Sequence, residues 1–124
     1  MRKRAVMLDE RLELLREYWE GEFEPRPVQQ PRPPVWVAAR WPSRRPLRRA
    51  ARWDGLFPID LPGPEALAEL AAEVERAAQP LDLAVDTPAG TDRAPWEAAG
   101  ATWHLTGFGL QPTAAEVRAA IEAG

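Results

Sequence analysis

Cysteine is absent from the 124 residues, and histidine and tyrosine occur once each. Without cysteine there is no disulfide, no thiolate nucleophile and no cysteine-held metal, and the composition suits a cytoplasmic setting. One histidine, His104, excludes a two-histidine dyad and a multi-histidine metal centre, and no other metal constellation is visible. His104 lies between Trp103 and Leu105 in a short apolar run, where it reads as a packing or exposed polar position and not as a general base. Long apolar runs are missing as well, so nothing approaches the ~20 residues needed to span a bilayer. The basic start Met1-Arg2-Lys3-Arg4 leads into an acidic amphipathic stretch, not an apolar signal core. No Gly-x-Gly-x-x-Gly turn follows any predicted strand, which disfavours an open dinucleotide-binding sheet.

What is present is enough for one compact domain. Forty-five per cent of the residues are apolar, six are Trp, and the 14 Pro and 8 Gly fall between the periodic segments. The formal net charge is only −3, but it is unevenly spread. Arg40, Arg44, Arg45, Arg48, Arg49 and Arg52 share a stretch with no acid, whereas acids crowd residues 9–24 and 65–75. Tryptophan beside arginine is a pattern that single-stranded nucleic acid exploits, yet the acidic remainder argues against that partner.

The periodicities predict a helix over residues 5–20, with Leu8, Leu12, Leu15 and Trp19 on one face and Gly21 as its stop. Residues 22–34, with five prolines, read as an extended linker. Four strand–helix units follow. Their strands are predicted at Val35–Ala39, Leu56–Asp60, Leu81–Asp86 and Ala101–Thr106. Ser43 caps a helix to about Trp53, and Pro64 opens one with Leu67, Leu70, Val74 and Ala77 inward, stopped by Pro80. A short helix near Pro95–Ala99 closes at Gly100, and Thr113-Ala114-Ala115-Glu116 is a capping box for the last. Repeated units of this length imply parallel strands with helical crossovers, as a small open α/β sheet or a half-barrel. A complete barrel of about 250 residues is excluded by length.

The order of pieces resembles the carboxyl-terminal half of the luciferase-like flavin-dependent monooxygenases. The helix Leu8–Trp19, a variable linker, the strand Pro33-Pro34-Val35-Trp36-Val37, an Arg- and Ala-rich helix, Asp54-Gly55 and Gly100-Ala101-Thr102 occur in the family's sequence. The resemblance implies a truncated member: an α/β chain, half a TIM barrel of four βα units behind a helix and a Pro-rich linker. It implies flavin-dependent monooxygenation with little activity alone and FMN as cofactor (a deazaflavin being the alternative). A half-barrel has two open strand edges, here near Val35–Ala39 and Trp103–Thr106. Its inner sheet surface has Val35, Val37, Leu83 and Val85 as apolar candidates, so its geometry predicts a second copy or a missing half-barrel as partner. The resemblance also places flavin-phosphate contacts in the loop after the first strand, at Ala39, Arg40, Trp41, Ser43 and Arg44. Where the family has Ala-Gly and a small or hydroxyl residue, this chain has Ala38-Ala39-Arg40-Trp41-Pro42-Ser43. The competing reading is a non-catalytic remnant or interaction module.

The residues themselves give that loop both a functional and a bland reading. Ser43, helix-start amides and the arginines would seat a phosphate; equally, Ser43 is a simple cap on a solvated arginine face. Trp36 reads as core and Trp41 as a ring-stacking candidate. Asp54 reads as a turn former. Asp60 and Asp86 end neighbouring strands, with loop solvation the stronger reading and paired acid–base work the weaker.

Overall fold

A computed structural model of the chain describes residues 2–21, 23–74 and 80–123. The chain divides into two compact units, residues 1–35 and 36–124. The first holds α1 (Arg2–Glu20). Of its expected inner face, Leu12 and Trp19 are half-buried and Leu8 and Leu15 exposed. The proline-rich segment folds back on the end of α1 instead of running free: Phe23 packs on Tyr18 with ring centroids 5.7 Å apart, and the Arg32 guanidinium meets Glu20 at 3.4 Å.

The second unit alternates strand and helix: β1 (Trp36–Arg40), α2 (Leu47–Ala50), β2 (Gly55–Ile59), α3 (Pro64–Val74), β3 (Asp82–Pro88), α4 (Ala94–Ala98), β4 (Trp103–Gly107) and α5 (Ala114–Ala123). The strands form one sheet in the order β1-β2-β3-β4, every pair parallel. The α/β class and the four units agree with the sequence reading. Ala77, expected inside the third helix, lies outside the described residues. Among the described residues no helix is long and apolar enough to cross a membrane.

The helix after β1 is much shorter than predicted. Pro42 and Pro46 supply no amide hydrogen, and the chain instead makes successive turns, with the Ser43 amide donating to the Arg40 carbonyl (2.8 Å) and that of Leu47 to Arg44 (3.2 Å). Past Ala50 the bonds tighten to three-residue spacing, Arg52 to Arg49 and Trp53 to Ala50, both 2.9 Å. That tightening drops Trp53 into the core, where it is 1 % exposed.

Register and side-chain alternation assign the two sheet faces. Val37, Ala39, Leu56, Leu83 and Val85 share one face and are all buried. Helices cover this face: a side chain at Gly100 would touch both Ala71 of α3 and Leu83. The opposite face carries Trp36, Phe57, Ala84, Trp103 and Leu105, with Trp103 and Leu105 exposed. Val37, Leu83 and Val85, expected on the inner surface, thus lie on the helix-covered face instead; strands with apolar residues on both faces lack the alternation that would have shown it.

Trp36 closes one end of that second face. Its indole crosses Gly55 to donate from Nε1 to Asp82 Oδ2 (3.1 Å) and meets Trp103 at 5.3 Å between ring centroids. A Cβ at Gly55 would lie 2.5 Å from the Trp36 ring and 2.8 Å from Asp82, so glycine is required there. Gly100 turns the chain out of α4 at φ 102°, a left-handed conformation suited to glycine. Thr102 then locks the start of β4, its hydroxyl accepting from the Leu83 amide at 2.8 Å.

Candidate functional site

β2 and β3 pair only at Gly55↔Asp82 and Leu56↔Leu83. In a parallel strand a residue's amide and carbonyl point to the same neighbour, alternating along the chain. The Ile59 carbonyl accepts from Trp41, toward β1, and that of Asp54 accepts from Asp82, toward β3. Pro58 therefore faces β3, and it has no hydrogen to give. The ladder ends there, and the carboxyl ends of β2 and β3 part.

A cavity of about 370 Å³ occupies the gap, lined by Pro58, Ile59, Asp60, Leu61, Val85, Asp86 and Trp96. By register Pro58 and Val85 belong to the helix-covered face and Ile59 and Asp86 to the other. Asp60 and Asp86 both line this cavity, and the Asp86 carboxylate leans over Gly107 of β4, where a Cβ would stand 2.7 Å from its Oδ1. Asp60 has φ 61°, a left-handed backbone that aspartate tolerates better than most residues. Its carboxylate is ion-paired with the Arg40 guanidinium.

The loop after β1 is built differently from a phosphate seat. Arg44 donates through Nε to Glu73 (2.5 Å) and through its terminal nitrogens to Glu69 (3.2 Å) and the Pro42 carbonyl (3.1 Å). Its guanidinium also lies 4.4 Å from the centre of the half-buried Trp41 ring, in cation–π geometry. Arg40 is taken by Asp60. The amides of Trp41 and Ser43 donate to Ile59 and Arg40 carbonyls. Ala39 is 2 % exposed on the helix-covered face. The Ser43 side chain is exposed, and α2 starts only at Leu47 after Pro46. A flavin phosphate would have to displace carboxylates here, so the loop as folded does not fit that group. Arg45 and Arg48 remain exposed beside it.

His104 belongs to a polar cluster that sequence reasoning did not find. By register it shares the helix-covered face with Val85, Thr87 and Thr106. Its Nε2 is hydrogen-bonded to the hydroxyl of Thr87, which is 5 % exposed. Both line a second cavity of about 370 Å³ with Thr106, the loop 90–93 and α5. The available signal was polar residues falling on the parity of Leu83 and Val85, a face otherwise apolar. Asp54 lies in the bend before β2, and its carbonyl accepts from the Asp82 amide at 2.9 Å, a bond between strands and not the local turn bond expected of it.

No family model, curated protein or solved structure matches the chain. Among the described residues no group of His, Asp and Glu is placed to hold a metal.

Proposed function

We propose that residues 36–124 are half of a (β/α)₈ barrel of the luciferase-like flavin-dependent oxidoreductase type, completed by a second half-barrel and with little monooxygenase activity alone. The single observation that carries the half-barrel reading is the sheet. Four parallel strands stand in chain order with helices between them, leaving the outer edges of β1 and β4 without a strand among the described residues and Trp103 and Leu105 exposed. Eight such strands close a TIM barrel, with the active face at their carboxyl ends. The second half is a second copy or a chain bearing the missing strands. The flavin part, FMN or alternatively a deazaflavin, rests on the ordered resemblance of Pro33-Pro34-Val35, Asp54-Gly55 and Gly100-Ala101-Thr102. A cytoplasmic setting, from the lack of cysteine, belongs to the same reading.

The engaged arginines favour a second reading, a half-barrel that keeps the fold as an interaction module without turnover. Arg40 and Arg44 already spend their charge on Asp60, Glu69 and Glu73. A titration of FMN at several protein concentrations, read by flavin fluorescence, separates the two. The flavin reading expects weak binding that strengthens as the chain associates, with no turnover of an aldehyde or alkane by the dilute chain. Absence of FMN binding at every concentration supports the module. Efficient turnover by the dilute chain overturns the half-barrel reading itself.

A further inference from the structure

α3, which runs between β2 and β3, buries Ala66, Leu67, Leu70 and Val74. α5 buries none of its residues. Its apolar stripe is Val117, Ala120 and Ile121, at helical spacing. Val117 and Ala120 are half-buried, and Ile121 is 73 % exposed. Ala120 and Ala123 line the cavity that holds His104 and Thr106, whereas Ile121 lies outside that wall. The cause is the place of α5 in the chain. A helix in a right-handed βα repeat covers its own strand and the next one. α5 follows the last strand, and the outer edge of β4 carries no strand among the described residues.

That edge is set up to pair. The Gly107 carbonyl accepts from the Ala89 amide, toward β3. By alternation, the amides and carbonyls of His104 and Thr106 point the other way, off the sheet. The outer edge of β1 is the counterpart. The Trp41 amide donates to Ile59 of β2, which turns the amide and carbonyl of Ala38 outward. We propose that α5 and the outer edge of β4 form an acceptor groove for the β1 strand of a second copy, laid parallel to β4. This rests on the half-barrel reading and chooses its partner. The same chain carries both edges, so a two-fold pair closes β4 on β1 twice and leaves no edge open. The faces also match: Trp36 and Ala38 of the second copy come beside Trp103 and Leu105. Its Val37 and Ala39 come beside His104 and Thr106, under α5.

The test is hydrogen exchange of the full chain, read from amide resonances at several protein concentrations. The His104, Thr106 and Ala38 amides should exchange more slowly as the concentration rises. The Leu105 amide, already directed to β3, should be protected at every concentration. Ile121→Lys should weaken self-association about tenfold or more by removing an apolar contact, and Ala119→Lys, on another side of α5, should not. Both positions are exposed, so neither change disturbs the fold. Association that leaves exchange at His104 and Thr106 unchanged, or that Ile121→Lys does not weaken, overturns the groove and leaves the half-barrel to close through another contact. A chain that stays monomeric overturns the second copy as occupant and leaves the β4 edge to a strand of another chain.

Discussion

Gly55 is the residue on which the uncovered sheet face turns. The Trp36 indole lies across it toward Asp82 and Trp103, and no side chain fits beneath. Gly55→Ala is expected to cost about 1–3 kcal/mol, the usual penalty of overpacking. Urea unfolding should show the loss, and near-ultraviolet dichroism should show the indole pair displaced. The Asp-Gly pair suggests a turn in the sequence; the need for glycine is invisible there because the obstructing ring comes from another strand. Thr113 and Glu116 are the opposite case, since a capping box is wholly local. The Thr113 amide donates to Glu116 Oε2 (2.7 Å), the Thr113 hydroxyl donates to the same oxygen (2.8 Å), and the Glu116 amide donates back to that hydroxyl (3.2 Å). The amide bond first, and the hydroxyl second, hold the Glu116 carboxyl below the ordinary glutamate range. Its folded pKa is depressed, so the contribution to α5 is complete above the unfolded value of about 4.3 and is lost as pH falls through the lower folded value. Protection of the Val117 amide, its exchange measured against the intrinsic rate at each pH, should fall as the pH drops through that window, and Glu116→Gln should flatten the dependence.

Among the elements, β2 shows how much a single imino acid decides. A proline inside Leu56-Phe57-Pro58-Ile59 is legible, but its consequence depends on which neighbour the absent hydrogen faces, and only register supplies that. Pro58→Val should give a residue-58 amide that exchanges slowly, bonded toward β3, while the ladder to β1 is unchanged. A rapidly exchanging amide there would mean that the strands part for another reason. The order of strands and helices was readable from periodicity, caps and prolines. The length of α2 was not, because Pro42 and Pro46 divert the amides expected to start it at Ser43. The orientation of the sheet was also hidden: apolar neighbours on both parities let Val37, Leu83 and Val85 pass for the inner surface, whereas α3 lies over Leu83. Leu67 of α3 is fully buried, and Leu67→Ala should cost about 2–5 kcal/mol by thermal or urea unfolding. The loop after β1 was legible as a cluster of charge, but its neutralisation by Glu69 and Glu73 comes from a helix some 25 residues away.

For the molecule as a whole, the second unit is a parallel sheet with one face covered by helices and, among the described residues, no strand on the outer edge of β1 or of β4. Parallel sheets ordinarily have both faces buried, and open edges invite pairing unless something blocks them. Two copies related by a two-fold axis along the barrel would pair β4 of each with β1 of the other and enclose Trp103 and Leu105. Placing a charge on that face, as in Leu105→Lys, should shift the equilibrium toward monomer while leaving the helix-covered core folded. The most direct test is light scattering of the wild-type chain across a concentration series, with circular dichroism to verify the fold. The half-barrel account predicts a mass rising to that of a dimer, and a rise suppressed by Leu105→Lys. A folded, monodisperse monomer at the highest concentration would contradict completion of the barrel by a second copy.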